Sequence, residues 1–198
     1  PGVSSGPRST PTGTPPTGNN TGLLSFAQGR GDLSDFWYTL EAAASGELIV
    51  RQYTPTSRSW TNAGTIMRIP NPEAATDAPS PGGWIGVSED GFLYIATGDG
   101  VVLPANSTAQ DTRSLRGKIL RIKPIRAVLH PGPGTSYTIP ADNPFANGVS
   151  GAPEVWAYGF RNPGSGNFVG TDLIVSDSDP NGAFSELNLI RPADKGGN

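Results

Sequence analysis

The chain has 198 residues, a formal net charge of −3, 27 glycines, 20 prolines and no cysteine. That length allows one folded core and a tail. The acidic balance and lack of a basic patch exclude a nucleic-acid partner, and no apolar run reaches the ~20 residues that cross a bilayer. Without cysteine there are no disulfides or thiolate metal sites. The Gly and Pro excess fits either disorder or a turn-dense all-β chain.

Residues 1–22 are rich in Pro, Thr, Ser and Gly and nearly free of apolar side chains. They bury too little surface to offset chain entropy and read as a linker or an extracellular stalk. They show no charged segment followed by an apolar one, so they do not read as a signal peptide, the alternative being one already cleaved or lying upstream. Asn19-Asn20-Thr21 and Asn106-Ser107-Thr108 are N-glycosylation sequons, weak support for secretion. Arg30-Gly31-Asp32, a tripeptide of adhesion ligands, reads as an ordinary turn. From Leu33 onward the chain consists of short β-runs separated by turn residues. Phe36–Leu40 and Glu47–Tyr53 flank a hairpin connection at residues 42–46, and Thr65–Ile69 stops at Pro70-Asn71-Pro72. Then come Trp84–Val87, Phe92–Thr97, Lys118–Ile122, Glu154–Tyr158, Leu173–Ser176 and Glu186–Ile190. Phe92–Thr97 is apolar on both faces, which predicts a strand between two neighbouring sheets. Arg113, Arg116, Lys118 and Arg121 read as a solvated basic face. The tryptophans Trp37, Trp60, Trp84 and Trp156 read as core or sheet-interface residues, with sugar stacking as the alternative. Strands of this length and spacing argue sandwich, barrel or propeller, and periodicity does not choose among them.

A series of motifs chooses. GWIGVSEDGFLYIATGDG at Gly83–Gly100, RGKILRIKP at Arg116–Pro124, YTIPADNPF at Tyr137–Phe145, WAYGFRNP at Trp156–Pro163 and the segment Asp172–Ile190 occur in an order and spacing that resemble the glucose/sorbosone dehydrogenase family. The resemblance covers about residues 47–198. It implies an all-β fold, part of a six-bladed β-propeller with two to three blades of four-stranded antiparallel sheets over residues 23–198. The chain then reads as the middle of a larger protein. The family reaction is hydride removal from an aldose by pyrroloquinoline quinone (PQQ) held with calcium, so PQQ and calcium are the implied cofactors. By the same resemblance Arg161 and Asn162 face the quinone, Asp99 orients the catalytic base, and Asp179 and Pro180 supply calcium ligands. Read as residues alone, Arg161 is equally a strand-end ion pair, Asp99 an Asp-Gly turn, and Ser176–Gly182 an Asx-rich turn in which Asp177 and Asp179 are suitable oxygen donors.

The chain departs from the family where the base belongs. Ser80 and Pro81 stand there instead of histidine, and the single histidine, His130, lies in a Pro/Gly loop elsewhere. Proline accepts no proton and an unaided serine hydroxyl is a weak base. The expectation is therefore a propeller module without catalysis, a structural or recognition part of an extracellular protein with carbohydrate or other protein chains as partners. The alternatives are an active PQQ- and calcium-dependent aldose dehydrogenase, which would be extracellular or periplasmic, and a sugar-binding, lectin-like module.

Overall fold

The computed structural model of the chain describes residues 22–71, 80–101, 107–126, 136–179 and 185–194. Among them the structure is antiparallel sheet with two short 3-10 turns. The first sheet runs in the order β1 (Gly22–Gln28), β2 (Trp37–Ala42), β3 (Leu48–Pro55), β4 (Trp60–Ile69). The second contains β5 (Gly82–Val87), β6 (Leu93–Thr97) and β7 (Lys118–Pro124). The outer edge of β7 is shared by β8 (Tyr137–Thr138) at residues 123–124 and β9 (Val155–Tyr158) at residues 118–120. The third sheet is β10 (Pro163–Val169), β11 (Asp172–Ser178) and β12 (Ser185–Ile190). The stalk expected over residues 1–22 lies almost wholly outside the described residues, as do His130 and Pro180.

Alternation sets the faces. In β2, Tyr38, Leu40 and Ala42 are buried while Trp37, Thr39 and Glu41 on the other face are less so. In β11, Leu173, Val175 and Asp177 point inward. Every residue of β6 is buried, because the strand is covered on both sides. Leu93 and Ile95 pack with Leu40, Leu48, Val50 and Ile69 of the first sheet. Tyr94 and Ala96 pack with Trp156, Phe160, Leu173 and Val175 toward the third. The three sheets are thus consecutive radial layers, with the first strands β1, β5 and β10 adjacent along the inner edge.

Three strands have no counterpart among the runs read from the sequence, β1, β8 and β10, and crowding along that edge explains β10. In β10, PGSGNFV reads as a turn. Yet a Cβ on Gly166 would lie 2.9 Å from the Trp84 ring, and one on Gly86 2.3 Å from it. Glycine is there because inner strands approach closely around one indole, not because the chain turns.

The basic cluster is not a solvated face. Arg113 is exposed, but Arg116, Lys118 and Arg121 are among the most buried side chains of the protein. Arg116 donates Nε to the Pro70 carbonyl at 3.0 Å and Nη2 to the carbonyls of Gly46 and Ile69, clamping the second sheet to the first. Lys118 Nζ donates to the carbonyls of Thr108, Ala109 and Arg116 at 3.0, 2.8 and 2.6 Å. Arg121 lies 4.1 Å from the Phe92 ring centroid and 4.5 Å from that of Trp156, and pairs with Asp142 at 2.9 Å. Strand alternation places such stems outward on a two-layer protein; with a sheet on each side of β7, no outward face remains.

Burial pushes the Lys118 amine down to about 8, against nearby Asp111 and Asp99, which oppose the shift. Between pH 8 and the ordinary lysine value the unfolded chain keeps a proton that the folded chain has lost. Stability therefore rises with pH in that window, by at most about 1 kcal/mol per unit. Tyr38 and Tyr94, both pushed up to about 12 by burial, favour the folded state less only above pH 10. Urea unfolding from about pH 7 to about pH 10 is expected to show this rise in the natural chain and none in Lys118→Met, which is also less stable by about 1–3 kcal/mol for its orphaned carbonyls.

Candidate functional site

One end of the second and third sheets gathers nearly every residue singled out by sequence. Gly98-Asp99-Gly100 follows β6, Ser80-Pro81 precedes β5, Phe160-Arg161-Asn162 leads into β10, and Asp177-Ser178-Asp179 closes β11. The backbones are sewn together. Gly98 and Gly100 donate to the carbonyls of Pro81 and Ser80 at 2.9 and 3.1 Å, and Asp99 N–H donates to the Arg161 carbonyl at 3.0 Å. A Cβ on Gly98 would sit 2.0 Å from the Ser80 carbonyl, so only glycine fits there.

Asp99 is fully buried and its carboxylate accepts a charge-assisted hydrogen bond from Arg161 Nη1. Its other oxygen accepts the Val101 N–H at 3.3 Å. Arg161, 20% exposed, is held at the backbone as well: Asp177 Oδ2 accepts its N–H at 2.7 Å and Oδ1 accepts that of Asn162 at 2.6 Å. Asn162 Oδ1 accepts the Gly82 N–H at 3.1 Å and its Nδ2 donates to Ser178 at 3.3 Å. Burial pushes the Asp177 carboxyl above its usual range, and the N–H donors of Arg161 and Asn162 pull the other way. Asp177, weighed from sequence as an oxygen donor for a cation, instead uses both oxygens to cap the Arg161-Asn162 turn. Asp179 follows directly after β11, and Pro180, its partner in the expected calcium pair, is outside the described residues.

Among the described residues the site supplies no base for the oxidation of a sugar by a quinone. Ser80, where the base belongs, is fully buried, and its hydroxyl has no hydrogen-bond partner among the described residues that could activate it. Asp99, which would orient a histidine, is closed onto Arg161. Among the described residues no group of three His, Asp or Glu side chains is placed to hold a metal ion. What the site achieves chemically is charge neutralisation at a joint: one carboxylate per cation, with turn N–H groups satisfied. The tryptophans divide. Trp84 and Trp156 pack in the joint between the second and third sheets, whereas Trp37 and Trp60 form an edge-to-face pair on the outer side of the first, with Trp60 half exposed.

The comparisons with known proteins agree with this architecture. Residues 36–197 match the family model described as Glucose / Sorbosone dehydrogenase. The chain is 41% identical over 90 residues to the HIPL2 protein of Arabidopsis thaliana, covering 42% of this chain and 13% of that protein. It is 32% identical over 108 residues to the human Hedgehog-interacting protein, covering 51% of this chain and 15% of that one. Among solved structures, an oxidoreductase of Thermus thermophilus described as a glucose dehydrogenase superposes with a TM-score of 0.65 at 30% identity, covering 87% of this chain and 49% of that one. The chain thus spans about half of that solved relative and a much smaller share of the curated ones.

Three substitutions test the joint. Asp99→Ala removes the buried carboxylate, leaves the partly exposed Arg161 guanidinium without its partner, and is expected to lower stability by about 1–3 kcal/mol. Adding Arg161→Met recovers part of that loss in a double-mutant cycle read by urea unfolding. Asp177→Asn offers one acceptor to two N–H groups and is expected to cost about 1–3 kcal/mol. From its motif series, its three radial sheets and the match over most of its length, the chain belongs to the glucose/sorbosone dehydrogenase family.

Proposed function

We propose that this chain is a propeller module without redox catalysis, serving as a structural or recognition part of a larger extracellular protein. One observation carries the reading. The carboxylate that the family resemblance assigns to orienting a base, Asp99, is engaged by Arg161, and Ser80-Pro81 stand in the base's place. Arg161, Asn162 and Asp99 then work as a joint between two blades. The named partner of the Hedgehog-interacting relative supports another protein chain as the ligand class here, with carbohydrate as the second. The Pro/Thr-rich lead-in and the two sequons support an extracellular place, with a periplasmic one as the alternative.

The glucose dehydrogenase relative favours a second reading, an active PQQ- and calcium-dependent aldose dehydrogenase. There Arg161 and Asn162 contact the cofactor, and Asp179 and Pro180 hold calcium. A third reading, a lectin-like module, rests on the half-exposed ring of Trp60. One experiment separates them. The full chain, shown to be folded by circular dichroism, is mixed with PQQ and calcium and assayed for dye reduction with a panel of aldoses, then applied to a glycan array. The expected result is no aldose-dependent turnover and no glycan binding. Turnover above the cofactor-free control transfers the assignment to the dehydrogenase, and glycan binding without turnover to the lectin.

A further inference from the structure

The turn between β1 and β2 carries two charges that the fold does not use. Arg30, Gly31 and Asp32 are all exposed, while Gly29 before them and Leu33 after them are buried. The tip is pinned. Leu33 N–H donates to the Arg30 carbonyl at 3.1 Å, Ser34 N–H to Gly31 at 3.2 Å, Phe36 N–H to Leu33 at 3.0 Å and Gly29 N–H to Phe36 at 2.8 Å. Gln28 Nε2 adds a bond to the Ser34 carbonyl at 3.2 Å. Leu33 and Phe36 root the turn in the core shared by the first two sheets. On its other flank a Cβ at Gly91, in the β5–β6 turn, would lie 3.7 Å from the Arg30 carbonyl. The result is a short, fixed pedestal rather than a loose loop.

Gly31 has φ +60, and a Cβ there would meet nothing within 4 Å. Glycine is required for the backbone bend alone, not for packing. With the Arg30 carbonyl closing onto Leu33, Gly31 occupies the first central position of a primed β-turn, where positive φ is demanded. Arg30 on the approach side is extended. Neither the Arg30 nor the Asp32 side chain makes a hydrogen bond or ion pair among the described residues. Their charged neighbours do: Asp35 pairs with Arg126 at 3.3 Å, Asp90 takes the Ser88 hydroxyl, and Lys123 donates to the Asp90 carbonyl at 3.1 Å. A guanidinium and a carboxylate one glycine apart, both uncommitted on a rigid tip, form a ready two-point ligand.

We propose that the Arg30-Gly31-Asp32 turn is a docking site for a metal-dependent adhesion receptor, a protein whose cleft offers a bound divalent cation and an acidic pocket. A carboxylate is a hard oxygen donor that completes the coordination of such a cation. A guanidinium fork suits a receptor carboxylate. Gly31 keeps the two arms apart and leaves the receptor room to approach the backbone. The site is independent of the joint around Arg161, on a different turn of a different sheet.

The test is surface plasmon resonance of the full chain against purified integrin ectodomains that bind Arg-Gly-Asp peptides, in manganese and in EDTA. Binding is expected in manganese, is abolished by EDTA and is competed by a soluble Gly-Arg-Gly-Asp-Ser peptide. Asp32→Glu keeps the charge but moves the carboxylate by a methylene, and is expected to weaken binding by roughly tenfold or more, as a misplaced hard-ion ligand does. Arg30→Lys, which loses the fork, weakens it by a smaller factor. Both positions are exposed, so thermal melting of the Asp32→Glu and Arg30→Lys variants matches the natural chain. Absence of manganese-dependent binding by the folded chain, or natural affinity in Asp32→Glu, overturns the proposal.

Discussion

Cations at the joints hold the blades to one another. Arg116 reaches from the second sheet to three carbonyls of the first, and Arg161 reaches from the entry of the third sheet to Asp99 at the end of β6. Lys118 gathers the carbonyls of the 107–117 connection beneath them. Radial sheets leave turn carbonyls crowded at one end, where water is excluded and strand pairing cannot reach. An unpaired carbonyl there is destabilising, and a long cationic stem with several donors satisfies more of them per side chain than any neutral residue. The apolar faces make the sheets stack; these cations set where along one another they stop.

The same constraint bears on function. Arg161 is the residue through which the family resemblance speaks most directly of chemistry, yet here its guanidinium and its backbone are both committed to neighbours. Asp177 reinforces the commitment by fixing the turn from below. With no histidine beside it, the buried Asp99 carboxylate finds its compensation in the contact with Arg161.

All nine β-runs read from the sequence are strands, and the two-faced apolar run at β6 correctly announced a sheet on each side. Those signals are local: alternation, β-branched residues and turn punctuation. The inner strand β10 was invisible because its composition answers to a neighbour's bulk. Gly166 makes sense only once Trp84 is across from it. The burial of Arg116, Lys118 and Arg121 was illegible for a related reason, since a charged residue on a strand looks solvated until a third layer covers it. The candidate site was half legible. Asp99, Arg161 and Asn162 do meet, as their motifs implied. The role of Asp177 lay in a turn sixteen positions from its partner, and nothing in the spacing announced it.

Covering β6 on both sides has a dynamic corollary. Its amides open only when a neighbouring layer lifts away, so their solvent exchange follows the loss of whole blades and not the fraying of single strands. Contacts between layers are nearest-neighbour in kind, much as in stacked repeats. The middle blade is then the slowest-exchanging part of the molecule, and protection falls away on either side of it. A ligand seated at the Asp99–Arg161 joint would deepen that protection, whereas one captured on the β1–β2 turn would leave it nearly unchanged.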